Sequence, residues 1–376
     1  MSENRVIVAM SGGVDSSVAA ALLVRQDYEV IGVTLNVWPK TDPEDGIERD
    51  QACCSLAAAD DARRVARKLA IPHYVLNYRE LFAEQVIRDF CDEYLRGRTP
   101  NPCIRCNRFL KFGALLKLAD QLGARHIATG HYARRVYNEA SGRWHLLKGL
   151  DPGKDQSYVL YVLTQPQLAR SLFPLGGLTK EETRRLAGDW GLPVADKPDS
   201  QEVCFVPSDN YVEFLEDYVG HTGSPGSIVN RRGEVLGTHR GLARYTVGQR
   251  KGLGLARARP LYVLEIDPSS NALIVGEDSE LLCSGALAEE ANWISVSRPR
   301  SGIKVKAKVR YRSDEVAARL FEQNGQVLAR FDQPQRAVAP GQAIVFYQED
   351  LVVGGGVICA SPPGQGGGRP QALLPV

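Results

Sequence analysis

Apolar residues gather in short unbroken runs near the start of the chain, and each run is followed by a stretch with helical spacing. Val6-Ile7-Val8-Ala9-Met10 reads as a buried strand, and Val18-Ala19-Ala20-Ala21-Leu22-Leu23-Val24 as a helix facing it. The alternation repeats. Val30 to Leu35 is a second strand, and a helix follows from Leu56 to Ala70, with Ser55 placed to cap it. His73-Tyr74-Val75-Leu76 is a third strand, Glu80 to Leu95 a helix with Val86, Ile87, Phe90 and Tyr94 on one face, and His126 to Thr129 a fourth strand. The polar, acidic stretch Pro39 to Asp50 reads as a surface loop. Strands and helices in this order predict an α/β domain over residues 1–205, a Rossmann-like parallel sheet with helices on both faces.

After about residue 220 the texture changes to short alternating runs such as Tyr262-Val263-Leu264-Glu265-Ile266 and Ala272-Leu273-Ile274-Val275, separated by Gly, Pro, Asn and Asp. Regular turn signals predict a small central domain over 206–285 and a C-terminal β-barrel-like domain over 286–360, its strands running from Trp293 to Ile358. Arg244 to Leu255 is glycine-rich and basic and reads as a loop over a surface. Residues 361–376 lack apolar periodicity and are expected to form a mobile tail.

Open parallel sheets bind ligands beyond the carboxyl ends of their strands. Three segments would converge there: Ala9 to Ser17, Leu35 with its neighbours, and Thr129-Gly130-His131-Tyr132. Paired glycines in Ser11-Gly12-Gly13-Val14-Asp15-Ser16-Ser17 allow a tight turn. Ser11, Ser16 and Ser17 add hydroxyl donors at a helix N-terminus, which makes an anion site. No lysine follows the glycines, so this is neither G-x-x-x-x-G-K-[ST] nor G-x-G-x-x-G. The S-G-G-x-D-S-S order resembles the pyrophosphate loop of ATP-pyrophosphatase enzymes, which transfer AMP to a substrate oxygen.

Eight cysteines in 376 residues, with no basic-then-apolar leader and no apolar run of membrane-spanning length, suggest a cytoplasmic protein whose thiols do chemistry or hold metal. Cys103 and Cys106 lie in Thr99-Pro100-Asn101-Pro102-Cys103-Ile104-Arg105-Cys106-Asn107, where two prolines predict an extended loop before a helix from Phe109. Arg105, Arg108, Lys111 and the following helix N-terminus would favour a Cys106 thiolate. Cys204 sits in Asp199-Ser200-Gln201-Glu202-Val203-Cys204-Phe205. Neither a second C-x-x-C nor a histidine pair completes a structural zinc site, and no metal ligands are assigned. Cys91, Cys283 and Cys359 read as buried packing residues. A net charge of +2 leaves nucleic acid open, so local clusters matter. Lys304, Lys306, Lys308, Arg310 and Arg312 alternate with Val305, Ala307, Val309 and Tyr311. A strand here would present five cations on one face, for a phosphate backbone or for protection of a sheet edge.

S-G-G-V-D-S-S at Ser11, N-P-C-I-R-C-N at Asn101, T-G-H-Y at Thr129, K-D-Q-S-Y at Lys154, D-S-Q-E-V-C-F at Asp199, G-Q-R-K-G-L-G at Gly248 and G-G-G-V-I at Gly354 occur in this order. Together they resemble the bacterial and organellar tRNA-specific 2-thiouridylases over essentially the whole chain apart from the tail. The resemblance implies ATP and Mg²⁺ as cofactors and a tRNA with a wobble uridine as substrate. Its C2 oxygen is adenylated and replaced by sulfur, with AMP and pyrophosphate released. It implies nucleotide binding by Ala9, Met10, Ser11, Gly12, Gly13, Val14, Asp15, Ser16, Leu35 and Gly130. Cys106 is the implied nucleophile and Cys204 the persulfide carrier. Contact with tRNA falls on Asn101, Pro102, Cys103, His131, Lys154, Asp155, Gln156, Tyr311, Arg312 and Gln342. A cysteine desulfurase or sulfur-relay protein would deliver sulfur.

Two positions depart from the family pattern. Leu35 stands where some members have Met, and Cys103 where members have Asp. With Cys103, three thiols could instead hold an iron–sulfur cluster with Cys106 and Cys204. The rival functions are another adenylating ligase of the same loop class, argininosuccinate-synthase-like, and a non-catalytic RNA-binding module.

Overall fold

The computed structural model describes residues 2–37, 56–199, 203–206, 210–256 and 258–362. The loop expected at Pro39 to Asp50, Cys53, Cys54, the Ser55 cap and the tail beyond Pro362 lie outside them. The chain divides into two compact units. The first comprises Met1–Ile87, Pro102–Asp209 and Asp350–Val352; the second comprises Arg88–Asn101, Asn210–Glu349 and Val353–Val376.

In the first unit, β1 (Ser2–Ala9), β2 (Glu29–Asn36), β3 (His73–Asn77), β4 (Ala124–Ala128) and, after the antiparallel hairpin β5 (Ala133–Asn138) and β6 (Arg143–Lys148), β7 (Ser171–Leu172) are the strands. Five of them form a parallel sheet in the order β3-β2-β1-β4-β7, with Val6 opposite Val30 and Ile7 opposite Ile127. This is the α/β architecture expected. Val6, Ile7 and Val8 are fully buried because strands covered on both faces need no polar alternation. Helix α1 (Val14–Arg25) buries Val18, Ala19, Ala20, Ala21 and Leu23 against Val6, Val8, Leu192 and Val194. The chain leaves β1 toward β2 on one side, while β4 lies on the other. The crevice between the carboxyl ends of β1 and β4 is therefore a topological switch point.

Helical structure from residue 79 to 95 is continuous, with a π-helical turn at Ala83–Ile87, and buries Val86, Ile87, Phe90 and Tyr94 as expected. The segment around Cys106 differs from its sequence reading. Helix begins at Pro102–Cys106, not after a loop at Phe109, and runs through a π-helix at Asn107–Ala114 into Leu115–Gln121. Proline excludes only the preceding residue from helix and suits the first helical turn, so Pro102 starts the helix and Asn101 ends the extended segment. Cys106 is thus in the body of a helical run, and no helix N-terminus follows it.

The second unit holds a four-stranded sheet and a barrel. In the sheet, β8 (Gly226–Val229), β9 (Val235–His239), β10 (Tyr262–Asp267) and β11 (Ala272–Gly276) take the order β10-β11-β8-β9 around Ile228, Val263, Leu273 and Val275. The stretch Arg244 to Leu255 stays on the surface at Arg250 and Lys251, but Tyr245 and Leu253 enter that core. In the barrel, β12 (Leu282–Trp293), β13 (Ile303–Lys308), β14 (Val316–Gln323), β15 (Gln326–Arg336), β16 (Ala343–Gln348) and β17 (Leu351–Ala360) run in the order β12-β15-β14-β13-β16-β17, and pairing of β12 with β17 closes it. Closure removes the edges that an open sheet would expose.

The cationic strand is shorter than expected. It ends at Lys308, and Arg310, Tyr311 and Arg312 lie in the turn beyond it. Arg310 points back, donating to the carbonyls of Arg336 at 2.7 Å and Ala337 at 2.5 Å. Lys304, Lys306 and Lys308 remain on the outer face. Because β13 is paired on both sides, by β14 and β16, edge protection is not their role.

Candidate nucleotide and thiol site

The loop after β1 is built by its own side chains. Gly12 has φ of 69°, and a Cβ there would lie 2.1 Å from the Ala58 carbonyl oxygen, so neither conformation nor space admits another residue. Ser11 donates its backbone N–H to Ser16 Oγ at 3.1 Å, and the two hydroxyls are 3.2 Å apart. Gly13 is the N-cap of α1 and no side-chain cap is bonded there, which leaves the first-turn N–H groups available to an anion. Ser17 does not contribute as expected: it is fully buried, and its hydroxyl donates back to the Gly13 carbonyl at 2.8 Å. Gly130 follows β4, and a Cβ there would come within 2.7 Å of the Ser16 amide nitrogen. The two loops therefore touch at the switch point. Leu35 is buried near the end of β2, opposite Leu76 of β3. Ala9 and Met10 lead from β1 into the loop, with Val14 buried beneath it.

Sequence reasoning missed the charge network beside this loop. Lys180 Nζ lies 2.6 Å from Asp15 Oδ1 and 2.8 Å from Asp199 Oδ1, with its side chain 12% exposed. Asp199 also meets Lys154 at 2.9 Å and Arg184 at 2.8 Å. The buried Tyr132 hydroxyl donates to Asp15 at 2.9 Å; burial, then the Asp15 charge, push this phenol up and keep it a donor. Lys197 donates to the Gly12 carbonyl at 3.2 Å and pairs with Asp61 at 2.6 Å. The capping box Thr179-x-x-Glu182 marks a helix start in the sequence, but nothing local announces that Lys180 will reach Asp15.

Burial opposes ionisation of Asp199, but the hydrogen bonds and charges of Lys180 and Lys154 outweigh it and hold the carboxyl at about 2. In the unfolded chain such a group titrates near ~4, so its contribution to stability is complete above that pH and is lost as pH falls from about 4 towards 2. Asp199→Asn is expected to flatten the pH dependence of unfolding across that window, measured by denaturant titration. An unchanged slope would remove Asp199 as a source of acid sensitivity.

Of the residues expected to meet tRNA, Lys154 is committed to Asp199. Asp155 accepts from the backbone N–H groups of Gly149 and Ser157, each at 3.0 Å. Gln156 accepts from the Tyr132 N–H at 3.0 Å, so Asp155 and Gln156 shape the loop that presents Tyr132. His131 is buried, with Nδ1 2.8 Å from the Thr129 hydroxyl and its ring against Phe112. Burial, then Lys111, lower its pKa and keep it neutral near pH 7. In the second unit Gln342 donates to the carbonyls of Thr99 at 2.9 Å and Pro100 at 3.2 Å, fixing the segment that leads to Asn101. Tyr311 and Arg312 are exposed.

Cys103 is exposed and Cys106 half-buried on one helical face, three residues apart, and Cys204 is half-buried. None of the three is in a disulfide. Arg105 and Arg108 flank Phe109, with guanidinium carbons 4.8 and 5.4 Å from its ring centre. Buried Pro102 anchors the start of the helix. Cys91 is a packing residue, its thiol pushed up to about 12 by burial and then Asp92. Cys283 and Cys359 are only half-buried and donate to the carbonyls of Leu281 and Leu287. Among the described residues no three His, Cys, Asp or Glu side chains are gathered as a metal ion needs, and Cys103, Cys106 and Cys204 are not so gathered. Among them, too, no helix is long and apolar enough to cross a membrane.

A parallel sheet with a glycine loop at its switch point, followed by two β units, defines a three-part nucleotide-binding protein. Family models agree: a tRNA methyl transferase HUP domain matches residues 4–208, a tRNA methyl transferase PRC-barrel domain 212–277 and an aminomethyltransferase beta-barrel domain 284–358. The chain is 53% identical to the tRNA-specific 2-thiouridylase MnmA of Heliobacterium modesticaldum, over 94% of its own length and 92% of that protein. It is 54% identical to MnmA of Moorella thermoacetica, over 94% and 98%, and 52% identical to that of Natranaerobius thermophilus, over 95% and 98%. The chain belongs to the tRNA-specific 2-thiouridylase MnmA family.

Proposed function

We infer that the protein is a tRNA-uridine 2-sulfurtransferase that uses ATP to adenylate the C2 oxygen of a wobble uridine and replaces that oxygen with sulfur. The observation that carries this reading is the pairing, in one unit, of an uncapped helix N-terminus beside Lys180 and Asp15 with the cysteines Cys106 and Cys204. A uracil oxygen leaves poorly until it is a phosphoester, so the chemistry needs both a phosphate cradle and a sulfur nucleophile. The residues present fit a triphosphate: first-turn N–H groups, the Ser11 and Ser16 hydroxyls and Lys180 all donate. Mg²⁺ fits as an ion delivered with the nucleotide, held by Asp15 and phosphate oxygens, where it offsets charge on the phosphates. Contact with the target base is assigned to Asn101, Pro102 and Cys103, and a cysteine desulfurase or relay protein loads Cys204.

The decisive experiment supplies tRNA, ATP, Mg²⁺ and a persulfide donor to the purified protein and reads 2-thiouridine and AMP by mass spectrometry. Formation of both in equal amounts supports the assignment; AMP without thiolated tRNA would favour an adenylating ligase of another kind, and neither product a binding module.

Tyr311, Arg312 and the outer face of β13 are assigned to the tRNA backbone. Replacing Lys306, Lys308 and Arg312 by Ala should weaken tRNA binding and lower its log–log salt slope by roughly one unit per lost phosphate contact. ATP affinity should be unchanged. A salt slope equal to that of the unmodified protein would take β13 out of the RNA surface.

A further inference from the structure

A line of hydrogen bonds enters the glycine loop from outside it. The Thr34 hydroxyl, on a residue 1% exposed, lies 2.7 Å from the Met10 carbonyl oxygen and 2.9 Å from His73 Nε2. A carbonyl only accepts, so the single Thr34 proton goes to Met10, and Nε2 must carry the proton that Thr34 receives. Burial, then Arg63, lower the His73 pKa, so the ring is a neutral donor near pH 7. Its reach across β2 follows from Gly32, its partner in the parallel register, where a Cβ would stand 3.0 Å from His73 Cδ2. Met10 is itself pinned, its N–H donating to the Val33 carbonyl at 2.8 Å. Beyond the Met10–Ser11 peptide the order continues, with the Ser11 N–H donating to Ser16 Oγ at 3.1 Å. Thr34, that peptide and Ser16 thus each accept before they donate, and a chain of this kind polarises every member toward stronger donation. The Ser16 proton at its end has two neighbours within the loop, the Ser11 hydroxyl at 3.2 Å and the Gly13 carbonyl at 3.3 Å. Both are long against the about 2.7–2.8 Å of an ordinary hydroxyl bond, so neither holds that proton firmly.

We propose that His73 and Thr34 are positioning residues for the triphosphate: their one-way relay fixes the Met10–Ser11 peptide and delivers the Ser16 hydroxyl proton to a phosphate oxygen. A charged oxygen is a better acceptor than either neighbour within the loop, so the proton turns to phosphate and the relay ends on the anion. Because Thr34 and Met10 are buried, water does not replace a missing link. The proposal rests on the glycine loop being an ATP site and adds two residues, from β2 and β3, that act on it through Ser16.

Calorimetry on the full-length protein measures affinity for an ATP analogue not cleavable between its α and β phosphates, with Mg²⁺. Thr34→Val keeps the side-chain shape and removes the hydroxyl; it should weaken analogue binding about tenfold, the scale of one hydrogen bond to a charged group. Thr34→Ser keeps the hydroxyl and should bind as the unmodified protein does. In a Ser16→Ala background the Thr34→Val loss should vanish, because the relay then has no end, whereas a merely structural role for Thr34 would add to the Ser16→Ala loss. Where Thr34→Val does not fold, His73→Leu against His73→Gln makes the same comparison, glutamine placing an N–H donor where Nε2 stands. Unchanged binding in Thr34→Val, an equal loss in Thr34→Ser, or additive losses in the double variant each overturn the proposal and leave the ATP assignment standing. So does equal binding by His73→Leu and His73→Gln. Absence of analogue binding to the unmodified protein would instead defeat both.

Discussion

Replacing Cys204 or Cys106 by Ala is expected to abolish tRNA thiolation, by more than about 10³-fold, because Cys204 carries the transferred sulfur and Cys106 releases the product from it. On the proposed route the terminal sulfur of a Cys204 persulfide attacks the adenylated C2 carbon and AMP departs. The Cys106 thiolate then attacks the Cys204 sulfur. The bond between the Cys204 sulfur and the transferred sulfur breaks, 2-thiouridine is released and a Cys106–Cys204 disulfide remains for a thiol reductant to reopen. Adenylation precedes both sulfur steps, so tRNA-dependent exchange of pyrophosphate into ATP should survive in each variant. Cys103 is exposed, so Cys103→Ala should keep the fold and part of the thiolation. Nucleoside analysis of tRNA from the three variants checks the pattern. Equal loss in all three, together with stoichiometric iron and sulfide after anaerobic purification, would replace the persulfide route by a cluster.

Asp15→Ala is the second large effect, an expected fall of at least about 10² in AMP formation, the scale for removing one charge-organising group from a preorganised site. The fold should tolerate it within roughly a kcal/mol, because the side chain is only partly covered and Lys180 retains Asp199. Ser16→Ala should act in the same direction through loss of the Ser11 contacts. Circular dichroism and AMP release, measured on the same preparations, separate folding from function. Wild-type AMP formation by Asp15→Ala would remove Asp15 from the nucleotide site.

Hydrophobic runs and glycine spacing sufficed for the parallel sheet, the glycine turn after β1 and the two β units, since those follow from short-range periodicity and backbone sterics. They failed where a residue's setting depends on what lies beyond it. Two prolines suggested a loop before Phe109, yet Pro102 opens a helix, because proline constrains its predecessor and tolerates a first turn. Alternation suggested five cations on one strand, but Arg310 turns back to cap two carbonyls and the strand stops at Lys308.

The glycine turn after β1 was legible because its backbone demands are written in residue type and local order. The charges that govern that loop were not. Lys180 is 165 residues from Asp15 in the chain, and their pairing at 2.6 Å arises only when the helix at Lys180–Asp189 packs beside α1. Coulomb attraction acts through space and is indifferent to sequence separation. Periodicity therefore reveals which segments are strands and helices, while the partners of Asp15, Asp199, Lys154 and Tyr132 were decided by the packing that brought them together.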